Sequence, residues 1–280
     1  MKTIVKDIIK YIEFLRSKDY MIMVSCLDDC FAPCMEELIK YEVHLPSICS
    51  YLKSSSDTFK MCVHNKSVLK DNPPEVIKYC SCYAGVEEYV VPIQYKSKCI
   101  LCLNISGFRG VLEKSKESAK KISELCDDRF DNYYNSLSTN PPKVDDIIAL
   151  TSPLQYMFIS LYDECQKNPN IKTPAEVMYN TAIRFIYENY QQNITLKDIA
   201  DFVNFSESHL RHTFLKMSGM TVNNYIKNVR LDKAVDLLKY TNLSITQIAY
   251  DCGFSDSNYF STVFSKTYKL SPKDFRKENR

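Results

Sequence analysis

A pattern of two short, capped helices occurs twice in the second half of the chain, and such a repeat leaves few folds open. The first copy, residues 194–220, reads ITLKDIADFVNFSESHLRHTFLKMSGM. Thr195 is a good N-cap, and Leu196, Ile199, Ala200 and Val203 form the apolar stripe of one helix. A tight turn at Asn204-Phe205 leads to Ser206, which caps a second helix. Leu210, Phe214 and Met217 form its inward face, and Gly219 ends it. The second copy, residues 244–272, starts from Ser244 with Ile245, Ile248 and Ala249 inside, turns at Gly253, and restarts at Asp256 with Tyr259, Phe260 and Phe264 inward. Apolar positions from Val222 to Leu238 predict one long helix between the copies. Short helices joined this way fit a helix-turn-helix. Two on one rigid body make sense where two helices must enter successive major grooves, about 34 Å apart.

These positions carry a family resemblance. Ile199-Ala200 is followed by Ser206-x-x-His209-Leu210-Arg211-x-x-Phe214-x-Lys216-x-x-Gly219, then Tyr225-Ile226, Arg230-Leu231, Ala234, Leu237-Leu238 and Ile245-x-x-Ile248-Ala249. The densest part is Gly253-Phe254-Ser255-Asp256-Ser257-Asn258-Tyr259-Phe260-Ser261-x-x-Phe264, closing with Ser271-Pro272-x-x-Phe275-Arg276. The segment resembles the C-terminal domain of the AraC/XylS family of bacterial transcription regulators. Carried over by position, the resemblance implies that Ser208, Arg211 and His212 of the first recognition helix face base edges of double-stranded operator DNA. In the second helix Ser257, Asn258, Ser261 and Thr262 would do so. Arg211 has the fork for a guanine edge and Asn258 suits adenine. The family usually has Arg where His212 and Thr262 stand, so the second helix lacks a cationic reader in its central turn. Phosphate contacts from Tyr259, Ser261 and Lys266 are then the expectation there, although core packing is the ordinary role of Tyr259 and Phe260.

Bulk charge adds little. The net charge is +2. Beyond Pro174 Lys and Arg exceed Asp and Glu by three, against a deficit of one before it. No apolar run is long enough for a membrane span, and charges interrupt the first twenty residues, so a cytoplasmic protein is expected. No Gly-rich phosphate loop is present. His64 near Cys62 is the only hint of a nucleophile–base pair, so an enzyme is not expected.

Three regions are expected: 1–110, 111–173 as a helical linker, and 174–280 as the all-α double helix-turn-helix domain. In the first, Ile4, Ile8, Ile12 and Leu15 form a helical stripe. Tyr89–Ile93 and Ile100–Ile105 read as a hairpin across polar 94–98. Mixed α+β is the class. Asn140-Pro141-Pro142 breaks the middle helices, and Asn168-Pro169-Asn170 punctuates again before the third region. The middle helices either pack a homodimer or connect the domains.

Ten of the twelve cysteines precede residue 130. In a reducing compartment they do not read as a disulfide framework, and most are small buried hydrophobes. Cys26, Cys30 and Cys34 recur every four residues, as on one helical face, with Pro33 against a continuous helix. Cys99-x-x-Cys102 has zinc-site spacing but lies in a predicted strand, where the two converge only across a bulge. Cys49, Cys62, Cys82-x-Ala84-Gly85 and Val91-Pro92-Ile93 resemble the PocR-type ligand-sensing domain. That resemblance implies a PAS-like α/β fold and a small organic effector such as a short diol. Two readings of His44, Cys49, Cys62 and Cys82 stay open. They line an organic-ligand pocket, or they supply thiolates and imidazole to a metal or iron-sulfur centre in a redox or metal sensor. The first reading makes the chain a ligand-responsive regulator, recruiting RNA polymerase if it is an activator.

Overall fold

The N-terminal stripe closes into helix α1 (Lys2–Arg16), burying Val5, Ile8, Ile12 and Leu15, with Ile4 partly buried beside them. The computed structural model describes residues 2–26, 28–42, 44, 46–167 and 173–279. Two compact units, Met1–Asn170 and Ile171–Arg280, divide the chain. The Asn168-Pro169-Asn170 break lies outside the described residues.

In the first unit β1 (Met21–Cys26) leads through a 3-10 turn (Asp29–Cys34) to α2 (Met35–Leu38), α3 (Ser47–Lys53) and α4 (Ser56–Asp71). Cys26, Cys30 and Cys34 therefore share no helical face. Cys26 ends a strand and the other two lie in the tighter turn. Strands β2 (Lys78–Ser81), β3 (Glu87–Tyr95) and β4 (Lys98–Phe108) complete an antiparallel sheet in the order β1-β4-β3-β2. The expected hairpin is β3–β4. Its strands run farther than their apolar cores, to a two-residue turn in which Lys96 and Ser97 both have positive φ. Near that turn Ile93 pairs with Leu101 but Gln94 with Cys99, so Ile100 is an extra residue, a β-bulge.

Alternation gives the sheet two unlike faces. Ile22, Val24, Tyr89, Val91, Ile93, Leu101, Leu103 and Ile105 belong to one apolar core with α1. Met23, Ser25, Glu88, Cys102, Asn104 and Ser106 alternate with them and point the other way. Downstream lie α5 (Glu113–Ser123), α6 (Arg129–Asn135) and α7 (Val144–Lys167). The start of α5 is pinned by buried Glu87. Its carboxylate accepts from the N–H groups of Leu112 (2.7 Å) and Val111 (3.2 Å), from the Ser115 hydroxyl and from the Tyr79 hydroxyl (2.7 Å). The break at residues 140–142 separates α6 from α7 as expected. Helix α7 buries Ile147, Leu154, Phe158, Leu161 and Cys165 in the same core as α1 and the sheet. Most of 111–173, expected as a linker, is thus integral to the first unit, because α7 has an apolar stripe that only this core covers.

The second unit contains α8 (Pro174–Asn189), α9 (Leu196–Val203), α10 (Glu207–Ser218), α11 (Val222–Tyr240), α12 (Ile245–Asp251), α13 (Ser257–Tyr268) and α14 (Pro272–Glu278). The long connecting helix is α11. Leu231, Ala234, Leu237 and Leu238 on it pack with Ile248, Ala249, Cys252, Phe254, Phe260 and Phe264 in one core.

Candidate functional site

Each helix of the two motifs starts on the cap read from the sequence. Thr195 accepts from the Asp198 N–H in a reciprocal capping box. Ser206 accepts from His209 N–H, Ser244 from Gln247 N–H and Asp256 from Tyr259 N–H. Asn204 closes α9 at φ 56° and Gly219 closes α10 at φ 72°, both left-handed.

On α10, Leu210 and Phe214 are buried, whereas Met217 is 40% exposed rather than inward. The outer face presents Ser208, Arg211 and His212, all exposed. No hydrogen bond or ion pair among the described residues engages Arg211. The second recognition helix, α13, is built differently. Asn258 and Thr262 are exposed, and Ser257 and Ser261 are half-buried. Ser261 donates its hydroxyl to the Ser257 carbonyl and Thr262 to that of Asn258, each at 2.9 Å. Those hydroxyls keep only acceptor capacity outward, which suits donors better than phosphate oxygens. Phe260 and Phe264 fill the core as expected, but Tyr259 is 56% exposed and is no core residue. The register explains this. Tyr259 is one position off the stripe of Phe260 and Phe264, so it falls at its edge. Lys266 is exposed on the same helix.

A part-buried polar junction ties the end of α8 to α11 and to the turn of the second motif. Arg230 on α11 donates from Nε to the Tyr190 carbonyl (2.8 Å) and from Nη2 to that of Gln192 (2.9 Å), just beyond α8. Its guanidinium also lies over the Phe254 ring, 5.9 Å from the centroid. Gly253, in the turn of the second motif, sits at φ 84°, where a Cβ would come within 2.7 Å of that same Tyr190 carbonyl. Arg230 was legible only as a family position; its bonds to these two carbonyls have no sequence signal.

The first unit brings His44, Cys49, Cys62 and Cys82 to one cavity of about 50 Å³. The polar face of the sheet contributes Met23, Glu88 and Asn104, while α3 and α4 add Cys49, Leu52, Cys62 and Leu69. Asn104 is fully buried. Its carbonyl oxygen accepts from Ser25 at 3.2 Å, but its Nδ2 has no partner among the described residues. His44 Nε2 lies 3.3 Å from Glu88 Oε2, and neither atom completes a hydrogen bond. Uncompensated buried polar atoms are costly, and a cavity wall is where a ligand can satisfy them. Asn104 and Glu88 escaped the sequence reading. Their one signal was a polar residue inside the apolar run Ile100–Ile105 and a carboxylate at the start of a buried strand.

Burial pushes the Cys49 thiol well above its ordinary pKa, reinforced by the nearby Cys82 and Cys62 sulfurs, and burial raises Cys82 to about 12. Both are therefore neutral thiols at physiological pH, poor ligands and poor nucleophiles. Among the described residues no group of three or more His, Cys, Asp and Glu is placed to hold a metal ion. His64, two positions after Cys62 on α4, is exposed while Cys62 lines the cavity, as residues two apart on a helix do not face each other. No helix among the described residues is long and apolar enough to cross a membrane.

Comparison with known proteins bears chiefly on the second unit. A family model described as "Helix-turn-helix domain" matches residues 199–278. The HTH-type transcriptional activator RhaS of Mannheimia succiniciproducens is 30% identical over 154 residues, 55% of this chain and 58% of that protein. RhaS of Escherichia coli O157:H7 is 35% identical over 97 residues, 35% of each chain. The chain thus spans less than two thirds of the length of these curated relatives. Among solved structures, an AraC-type transcriptional regulator from Chromobacterium violaceum is 28% identical at a TM-score of 0.37, covering 38% of this chain and 94% of that one. The C-terminal domain of the response regulator yesN from Fusobacterium nucleatum is 34% identical at 0.33, covering 34% and 93%. The relatives carry names of transcriptional regulators and not of enzymes. With the capped pairs α9–α10 and α12–α13 in place, the C-terminal unit of this chain is a helix-turn-helix domain.

Proposed function

We propose that the chain is a bacterial transcription regulator that binds operator DNA through its second unit and a small organic effector in the cavity of its first. The observation that carries the DNA half is the repeated capped motif with Arg211 and His212 free on its first recognition helix. Base reading is assigned chiefly to Ser208, Arg211 and His212. Ser257, Asn258, Ser261 and Thr262 form the second contact, with Tyr259 and Lys266 reaching toward phosphate. Selection of bound duplexes from a random pool tests this. A recovered site with one strongly fixed half and one loosely fixed half is the expected outcome, and recovery of random sequence would overturn it.

The effector half rests on the unpartnered Asn104 amide and on the Glu88–His44 pair, whose facing atoms complete no hydrogen bond, at a cavity with room for a few non-hydrogen atoms. This is the PocR-like part of the reading, with residues 1–110 as the PAS-like sensor. Occupancy biases the DNA-competent state only by differential affinity for it. Thermal-shift screening of the full chain against short diols, aldehydes and sugars is the test, since a bound ligand raises apparent stability. A raised midpoint that Asn104→Ala abolishes supports the assignment, and a midpoint raised equally in that variant overturns it. RNA polymerase contact and a homodimer belong to the same proposal. Burial keeps the Cys49 and Cys82 thiols protonated, which does not favour a metal or iron-sulfur centre at Cys49, Cys62 and Cys82.

A further inference from the structure

Cys99 and Cys102 lie outside the set of cysteines that lines the cavity, yet they meet. In a regular strand residues three apart point to opposite faces. The extra residue Ile100 returns Cys99 to the face of Cys102. Their Sγ atoms are 3.8 Å apart. Cys102 is fully buried and Cys99 is half-buried near the hairpin turn, so one sulfur is reachable from solvent and the other is held behind it. Cys102 is two positions from Asn104 and therefore shares the sheet face that floors the cavity.

We propose that Cys99 and Cys102 form a reversible dithiol–disulfide pair driven by hydroperoxides, with Cys99 as the attacking sulfur and Cys102 as the resolving one. The pair is polarised for these roles. The hydrogen bond shared with Cys102 holds Cys99 below its ordinary pKa against the opposing effect of burial. Cys102 is raised by that same bond and by burial, so it keeps the proton. Burial raises Cys30, Cys49, Cys80, Cys82 and Cys126 instead. Cys165 is lowered by a hydrogen bond with Cys34, but both members of that pair are buried.

The chemistry balances in two steps. The Cys99 thiolate attacks the hydroperoxide oxygen. An S–O bond forms, the O–O bond breaks, and the departing alkoxide or hydroxide takes up a proton; sulfur loses two electrons and the peroxide becomes an alcohol or water. Cys102 then attacks the Cys99 sulfur of the sulfenic acid. The S–S bond forms, the S–O bond breaks, and the Cys102 proton leaves with the hydroxyl as water. Exchange with a dithiol restores both thiols.

The test uses the reduced full-length protein. N-ethylmaleimide should alkylate Cys99 about tenfold faster than Cys102. After hydrogen peroxide, blocking of free thiols and peptide mapping, the peptide carrying both cysteines should lose two hydrogens and regain them with dithiothreitol. Cys102→Ser should accumulate a dimedone adduct on Cys99, and Cys99→Ser should leave Cys102 unoxidised. Both cysteines remaining alkylatable while other thiols oxidise would overturn the proposal, as would oxidation of Cys102 at the wild-type rate in Cys99→Ser. If a serine variant fails to fold, the mapping of the wild-type protein still decides.

Discussion

Arg211 has nothing to hold it in the described structure, so its guanidinium is available to a base edge. Arg211→Ala should cost about 1–3 kcal/mol of binding and relax selection at one base pair of the stronger half-site. Uniform weakening across operator variants, read by titration, would move Arg211 to a phosphate. Gly253 makes a second residue-scale case. An alanine there must hold φ near 84° with its Cβ against the Tyr190 carbonyl. The backbone strain alone is worth about 1–3 kcal/mol, so Gly253→Ala should lower the unfolding midpoint clearly. An unchanged melt would mean that the Tyr190–Gln192 segment yields at little cost. Gly253 was legible as a turn residue, but the chain approaching it was not, because contacts from sixty residues away leave no local pattern. Tyr259 shows the reverse error. Its aromatic character pointed inward, while its position at the edge of the stripe put it in solvent.

At the level of elements, the capped helices of the second unit were readable because cap, stripe and stop agree within a few residues. The α7 assignment failed for a physical reason. An amphipathic helix declares an apolar face but not the partner that covers it, and here the partner is a sheet and α1. The junction of α8, α11 and the second turn depends on Arg230. Arg230→Lys removes a fork that donates to the carbonyls of Tyr190 and Gln192 together, and a lysine ammonium cannot reproduce that geometry. Amide exchange in the segment 190–192 and in α12 should accelerate in this variant while α9 and α10 hold their protection. Equal acceleration throughout the unit would show a global loss of stability and no specific junction.

For the whole molecule, the proposed binding of DNA by a near-neutral chain through a few local cations predicts a shallow salt dependence. Each phosphate contact contributes a slope of about −0.9 in log K against log salt, so a slope beyond about −6 would contradict contact by two short helices alone. The mixed sheet-and-helix class of the first unit was readable from its hairpin, whereas its cavity was not, since the wall is assembled from β1, α3, α4, β3 and β4. That sheet divides labour between its faces, and the division should be audible in a mutational scan. Along β4, Leu101, Leu103 and Ile105 belong to the sealed core, so swaps among aliphatic residues there should trade volume and melt temperature while leaving the proposed effector response intact. Cys102, Asn104 and Ser106 alternate with them on the other face, where Asn104 lines the cavity, and on the proposed reading Asn104 is the position at which a change should alter the response to effector. Tolerance and meaning would then beat at a period of two along a single strand.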